Sequence, residues 1–320
     1  MADPTVLFVV NDLDTLEPHQ STMGLLRATT ALGASVWVCG ADDVGRCPDG
    51  VHALGVAFDG QATVAELRAA PATALRLSDC AGVWVRTNPG RASHDHSGLL
   101  QLLHQAEAEG AVVRNRPSGL QRAASKLYLG ALPEGTVPPT VASRRLTVVR
   151  DAVQRLGEAV VKPVVGTRGS GVQRLSADDP QLDDKLTRAL EDGVLLVQAV
   201  APGVLDGDVR VHVVGGRALE VDGVAAVVAR RPGPDEWRSN VALGGRPERT
   251  ELTPALRQLV ESVGPTLQAH GLWHVGLDVV GPWIVECNVF SPGGLDDAGR
   301  FGDRDFLGAL AQRFVASLDS

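Results

Sequence analysis

The sequence predicts an α/β (α+β) protein, and three features of the chain predict it. A strand–helix–strand unit opens it, helices and strands alternate over residues 146–200, and the last third turns to β-hairpins around one long helix. At 320 residues the length fits two domains or three small ones.

Taken in order, "TVLFVV" at 5–10 is a continuous apolar strand, followed by an amphipathic helix over 21–33 and a second strand, "SVWVCG", at 35–40. "AGVWVR" at 81–86 and "GAVVRN" at 110–115 repeat the theme around a helix near 97–109. These strands end in polar residues: Asn11-Asp12, Arg86-Thr87-Asn88 and Arg114-Asn115. In parallel sheets, ligands sit beyond the carboxyl ends of strands. Within "NRPSGLQRAASKLYLGAL", Ser118 is expected to cap a short helix ending near Gly130. A second unit then reads helix 147–157, strand 158–164, glycine loop, strand 171–175, helix 180–192 and strand 194–199. Hairpins follow, then a polar loop at 232–247, a helix at 253–270 and the final hairpin "HVGLDVVGPWIVECNVF".

Composition narrows the function. The apolar fraction of 44% is that of a globular chain, and the formal charge of −8 argues against nucleic acid as a partner. "MADPTVLFVVND" lacks the basic start of a signal peptide, and no apolar run approaches the roughly 18 residues that span a bilayer. Cys39, Cys47, Cys80 and Cys287 show no metal-ligand spacing and read as buried thiols of a reduced compartment, so a cytoplasmic location is expected.

The chemistry-bearing stretch "VVKPVVGTRGSGV" places Lys162, one of only three lysines, in an apolar strand before Gly166, Gly169 and Gly171. Such an ammonium either snorkels out or meets an anion. The glycine loop can present backbone N–H groups to phosphate, but it is no Walker loop and has no kinase order. Taken alone, a flexible hairpin with a surfacing lysine remains open.

The C-terminal hairpin carries more. Gly281-Pro282 is a turn signal, and with the turn centred near Pro282, Asp278 and Glu286 stand opposite each other and Asn288 shares their face. Three oxygen ligands suit Mg²⁺, since two carboxylates about 5 Å apart repel by roughly 3 kcal/mol at an effective dielectric near 20. An ordinary solvated acidic face is the alternative. Arg210 and Arg230 also lie on apolar strands, where each either grips a phosphate or pairs with Asp or Glu. The loop 232–247 is either a lid or a surface excursion, and His94 and His96 read as plain loop histidines.

In this order, the strand lysine, glycine hairpin, strand arginines and Asp…Glu-x-Asn hairpin resemble an ATP-grasp carboxylate–amine ligase of the bacterial glutathione synthetase family. The resemblance covers nearly the whole chain and is carried by "RNRPSGLQRAASKLY", "VVKPVVGTRGSGV", "VLDGDVRVHVVGG", "RSNVALGGRPE" and "VECNVFSPGG". It implies an ATP-grasp fold with a Rossmann-like pre-grasp domain over 1–117, a central lid subdomain over 118–200 and a C-terminal antiparallel-sheet domain over 201–320. It also implies Lys126 and Lys162 on ATP phosphates, Gly166, Gly169 and Gly171 in a small mobile loop, Gln198 near adenine and Asp208 near the ribose-phosphate end. Arg210, Arg230 and Asn240 would contact transferred phosphate or substrate, and Asp278, Glu286 and Asn288 would hold two Mg²⁺ ions, with Mn²⁺ as a substitute. The implied substrates are small amino acids or peptides, and the implied assembly is a homodimer or homotetramer.

Two stretches depart from the family pattern. "RTNPGRASHDHSG" stands where the family carries Arg-Lys-Asp-Pro-Pro, and "SPGGLDDAGRFGDRDF" where it has Ser-Pro-Thr and a basic–acidic pair. Three readings follow: glutathione synthesis from γ-glutamylcysteine and glycine, a related ligase joining another amino acid or peptide, or a silent ATP-binding regulatory protein. Whether residues 86–98 and 291–306 form the substrate pocket is a question for the structure.

Overall fold

The computed structural model describes residues 3–89, 95–166, 169–234, 236–240 and 244–318. The first sheet grows from the apolar runs: β1 (Thr5–Val10), α1 (Ser21–Ala31), β2 (Ser35–Gly40), β3 (Val44–Cys47), β4 (Gly50–Phe58), α2 (Val64–Ala69), β5 (Thr73–Arg76), β6 (Gly82–Val85), α3 (His96–Ala108) and β7 (Val113–Arg114). Among the described residues its order is β3-β4-β2-β1-β6-β7, with β5 on β4. β1 lies parallel between β2 and β6, and β6 parallel to β7, so Asn11, Arg86 and Asn115 follow neighbouring carboxyl ends.

The antiparallel excursion β3–β5 was absent from the sequence reading. Its hairpin turn at Pro48-Asp49 also overturns one expectation: Cys39 and Cys80 are buried, but Cys47 is exposed at the end of β3. That turn brings Cys47, Asp49 and His52 together, their ligating atoms within 4.8 Å of one another, a grouping that linear spacing does not announce.

The helix expected from Ser118 to Gly130 is also corrected. α4 (Pro117–Arg122) starts with Pro117 in its first turn, after Arg116, so Ser118 lies inside it and caps nothing. The chain then breaks and resumes as a 3-10 turn over Lys126–Ala131. The cause lies across the cleft, where the Lys126 amide donates to the Val164 carbonyl at 2.9 Å rather than to a preceding turn.

The middle unit comprises β8 (Thr140–Ser143), α5 (Leu146–Leu156), β9 (Glu158–Pro163), β10 (Gln173–Ser176), α6 (Leu182–Glu191) and β11 (Leu195–Ala199). Its antiparallel sheet has the order β10-β9-β11-β8. The apolar stripes of α5 (Val149, Val153) and α6 (Leu182, Leu186) pack on Val161, Leu175 and Val197, which form a core of their own.

The last third runs β12 (Asp208–Val214), β13 (Arg217–Ala218), β14 (Glu220–Val221), β15 (Val224–Ala225), β16 (Val227–Arg231), β17 (Arg246–Glu248), α7 (Pro254–Ala269), β18 (His274–Val280), β19 (Trp283–Asn288), α8 (Leu295–Gly302) and α9 (Phe306–Ala316). Its main sheet is ordered β17-β16-β12-β18-β19, with β13 on β12. Here the cores are shared with the first sheet. Leu7, Val83 and Val113 belong to one cluster with Val211, Val263 and Leu277. A second cluster places Phe306 and Phe314 of α9 with Phe8 and Trp84, the Trp84 and Phe314 rings stacked at 4.4 Å.

A single buried amide fastens these two thirds. Asn115 donates to the carbonyls of His274 and Val289 at 2.9 and 2.6 Å and accepts from the amides of Trp273 and His274, both at 2.7 Å. Replacing it by Asp puts an acceptor against two carbonyls. Asn115→Asp is expected to lower unfolding free energy by about 2–4 kcal/mol in urea titrations; an unchanged midpoint would remove this contact from the fold's supports.

Candidate active site

The site begins on the C-terminal sheet. Asp278 on β18 pairs with Glu286 on β19 as expected, but by a β-bulge: the turn at Gly281-Pro282 pairs Val280 with Trp283 and Val279 with Ile284, and the register shifts by one residue between Val279 and Asp278. The Asn288 amide donates to Asp278 Oδ2 at 3.2 Å. Asp278 is only 1% exposed, so its charge must be met locally. Arg210, its cross-strand partner on β12, grips both carboxylate oxygens at 2.7 and 2.8 Å. Arg230 on β16 reaches Asp278 Oδ2 at 2.7 Å while forking onto both oxygens of Asp208, also at 2.7 Å. Ser239 donates a short hydrogen bond to Asp208.

Electrostatics follow from this lattice. Burial alone would push the Asp278 carboxyl up, but the two guanidiniums outweigh it and hold the group well below the ordinary range. Asp208 moves the other way, raised by burial and then by Asp278, with Arg230 opposing. Arg230 resists the effect of burial because Asp278 and Asp208 flank it, and its pKa lies above the ordinary arginine value. Both expected arginines thus pair with acids and also line the cleft.

The facing wall belongs to the middle unit. Lys162 on β9 is buried, and its Nζ donates across the cleft to the Val285 carbonyl of β19 at 3.0 Å. Burial lowers its pKa to about 8, Lys126 adding to the effect while Glu286 and Asp278 oppose it. Lys126 Nζ donates to the Gly166 carbonyl at 2.7 Å and lies 3.7 Å from Glu286 Oε1. Gly166, Gly169 and Gly171 all take positive φ, the last two at 77° and 70° in the left-handed region that favours glycine. Thr167 and Arg168 of that loop lie outside the described residues.

Between these walls lie two connected spaces. A crevice of about 110 Å³ is lined by Lys162, Gly169, Gln198, Asp208 and Asp278. A cleft of about 1010 Å³ is lined by Arg210, Arg230 and Asn288 together with Asn11 and Arg86. Lys126, Gly166, Asn240 and Glu286 line both. Gln198 is held from behind, its amide donating to Thr140 Oγ1 at 2.8 Å. Gly171 alone of the expected site residues lines neither space, resting instead against Pro163.

Sequence reasoning missed several participants. Arg238 donates to the Gly169 carbonyl at 2.9 Å and pairs with Glu236, tying the polar loop 232–247 to the glycine turn. Asp235 and residues 241–243 of that loop lie outside the described residues, as does His94. His96 opens α3 and meets Phe290 edge-on at 4.8 Å. His212, two residues from Arg210 on the same strand face, contacts His274 at 3.3 Å between ring nitrogens. Burial lowers His212 to about 3, so this pair is neutral.

Comparison with known proteins assigns the family. The model of the prokaryotic glutathione synthetase ATP-grasp domain matches residues 125–302, and that of the N-terminal domain matches residues 5–121. The chain belongs to the prokaryotic glutathione synthetase family. The glutathione synthetase of Prochlorococcus marinus (strain MIT 9313) is 31% identical over 318 residues, covering 98% of this chain and 99% of the relative. D-cycloserine synthetase DcsG superposes with a TM-score of 0.65 at 19% identity, covering 96% of this chain and 99% of that one. The ATP-grasp ligase PsnB with its minimal precursor gives 0.64 at 18% identity, covering 99% of both chains. These likenesses establish the ATP-grasp fold, and membership of the glutathione synthetase family makes the protein an ATP-dependent ligase whose family uses ATP and a divalent metal. Among the described residues no helix is long and apolar enough to cross a membrane.

Lys162 carries a pH prediction. Its folded pKa of about 8 lies below the ordinary 10.5, so the ammonium is present below pH 8 and lost as pH rises through it. The dissociation constant for ATP is expected to rise by up to ~10-fold per pH unit above 8. In Lys162→Arg that slope should vanish while affinity falls overall. A flat wild-type profile from pH 7 to 9.5 in calorimetric titrations would contradict this.

Proposed function

We propose that the protein joins γ-glutamylcysteine to glycine at the expense of ATP, forming an amide through an acyl phosphate. The observation that carries this reading is the convergence on one continuous cleft of Asp278, Glu286 and Asn288, of Lys126 beside them, and of Lys162 from the middle sheet. The donor set fits a divalent cation at Glu286 and Asn288, which line the cleft, Glu286 accepting no hydrogen bond among the described residues although cations surround it. Asp278 gives both oxygens to Arg210, Arg230 and Asn288 and would have to release one of them to join. Asp278, Glu286 and Asn288 would hold two Mg²⁺ ions, or Mn²⁺ in their place, which would neutralise charge on the phosphoryl oxygens.

The chain's own groups do the rest. Lys162 and Lys126 offer slim ammonium groups to the triphosphate, where a broad guanidinium fits badly. Gln198 faces the adenine and Asp208 the ribose-phosphate end. The planar forks of Arg210 and Arg230, with the Asn240 amide, orient the transferring phosphoryl group. The donor carboxylate attacks the γ-phosphorus and ADP leaves. The neutral amine then attacks the carbonyl carbon, loses its proton and expels inorganic phosphate. The loop latched by Arg238 shields the acyl phosphate from water.

A second reading, a ligase for another donor or amine, is favoured by Asp296 and Asp297, which line the cleft where the family pattern has a basic–acidic pair. Family membership supports a small-molecule reaction in the cytoplasm and assembly as a dimer or tetramer. Phosphate release with ATP and Mg²⁺ tests both readings over a panel of donors and amines. Release matched one-for-one by glutathione is expected with γ-glutamylcysteine and glycine. Release only with other pairs selects the second reading, and none with any pair rejects ligation.

A further inference from the structure

Away from the cleft, the β3–β4 hairpin brings three metal-ligating side chains to one spot. Cys47 ends β3, Asp49 lies in the turn and His52 follows on β4, and one ligating atom of each lies within 4.8 Å of the other two. None of the three lines either space between the walls. The strand pleat explains the grouping. Val44, Val51 and Ala53 face inward and are buried. Cys47 pairs with Gly50 and His52 with Gly45, so Cys47 and His52 are diagonal neighbours on the outer face. The two-residue turn between the strands adds Asp49 beside them.

His52 is oriented as a metal ligand is. Its Nδ1 donates to the Gly50 carbonyl at 3.1 Å, and a carbonyl only accepts, so the neutral ring presents a lone pair at Nε2. That atom faces Asp49 Oδ2 at 3.4 Å, two acceptors that a cation would reconcile. The His52 side chain is 20% exposed and that of Asp49 70%, so the spot opens to solvent on one side. Cys47 is a free, exposed thiol. The nearby arginines are engaged elsewhere. Arg46 points to the other face of β3 and pairs with Glu109 at 2.6 Å. The Val51 amide first, then Arg46 and Arg76, hold the Glu109 carboxyl below the ordinary range. Among the described residues Asp49 forms an ion pair with His52 alone.

We propose that Cys47, Asp49 and His52 bind a Zn²⁺ ion, with water in the fourth position. The ligands of a tetrahedral zinc, at bond lengths of about 2.0–2.3 Å, stand about 3.3–3.6 Å from one another. His52 Nε2 and Asp49 Oδ2 already have that spacing, and Cys47 Sγ needs only a small side-chain rotation. Thiolate and imidazole select a borderline cation over Mg²⁺ or Ca²⁺. Thiolate and carboxylate together balance its two charges, and the thiol proton leaves to solvent on binding. The ion ties both strands of the hairpin to its turn and so braces β3, the outer strand of the first sheet. This site stands apart from the ligase reading and does not depend on it.

Co²⁺ makes the site visible, because a thiolate–Co²⁺ bond gives a near-ultraviolet charge-transfer band that oxygen and imidazole ligands do not. Titration of the whole chain, kept reduced without a chelating reductant, is expected to give one equivalent of thiolate-bound Co²⁺. Zn²⁺ should displace it, and excess Mg²⁺ should not. Cys47→Ser is expected to abolish the band. Asp49→Asn and His52→Gln should each weaken binding of Zn²⁺, read by competition with Co²⁺, at least ~30-fold. A wild-type protein without the band would overturn the site and leave a plain His52–Asp49 ion pair. A band that survives Cys47→Ser would assign the ion to another thiol, and wild-type affinity in both other variants would equally reject the triad. Three separate substitutions in one hairpin keep the assignment testable if any one of them fails to fold.

Discussion

A carboxylate buried in the C-terminal sheet sets the terms for everything around it. Asp278 can remain charged at 1% exposure only because Arg210 and Arg230 close on it from the neighbouring strands. Arg230 in turn requires Asp208, and Ser239 completes the coordination of Asp208. Each charge is tolerated because of the next, so the network acts as a unit. Buried ion pairs contribute little net stability, which makes function the better reason for their presence. With Lys126 beside the network and Lys162 across the cleft, cations surround a space shaped for polyanions.

The distribution of apolar cores gives that space its walls. The first and last thirds share two core clusters and are fastened further by Asn115, so they form one support. The middle unit has its own core and reaches that support across the cleft through Lys162 and Val285, and through Lys126 and Gly166. Those cross-cleft bonds are polar and few, which leaves the crevice able to accept a ligand between two rigid sheets. Arg238 adds a further tie at the glycine turn.

Much of this was legible in the sequence for physical reasons. A turn near Pro282 and a strand period of two put Asp278, Glu286 and Asn288 on one face, although the observed pairing reaches that register through a β-bulge between Asp278 and Val279 that the sequence does not announce. A lysine in an apolar strand stood out because so few lysines exist. Arg210 and Arg230 were recognised as needing partners, but pairs between strands distant in sequence cannot be chosen from sequence alone. β3 and β5 went unread because four-residue, largely exposed strands carry no periodic signal. Cys47 was misplaced with them. Ser118 looked like a cap, but Pro117 had already started the helix. Arg86 was marked as a polar strand end, but that its buried guanidinium makes only long contacts shows in three dimensions alone. The same holds for the neutral His212–His274 pair beneath Arg210.

The most direct test is the linkage between Asp278 and ligand, read as unfolding free energy in urea with and without Mg²⁺ and a non-hydrolysable ATP analogue. For the unliganded protein, Asp278→Asn should cost about 3–5 kcal/mol, because two guanidiniums lose their charge partner. At ~100-fold excess over the dissociation constant the ligands should stabilise the wild type by about 2.7 kcal/mol and the variant by far less. Equal stabilisation of both proteins by metal and nucleotide would contradict the account, since Asp278 would then hold the sheet together without taking part in the site.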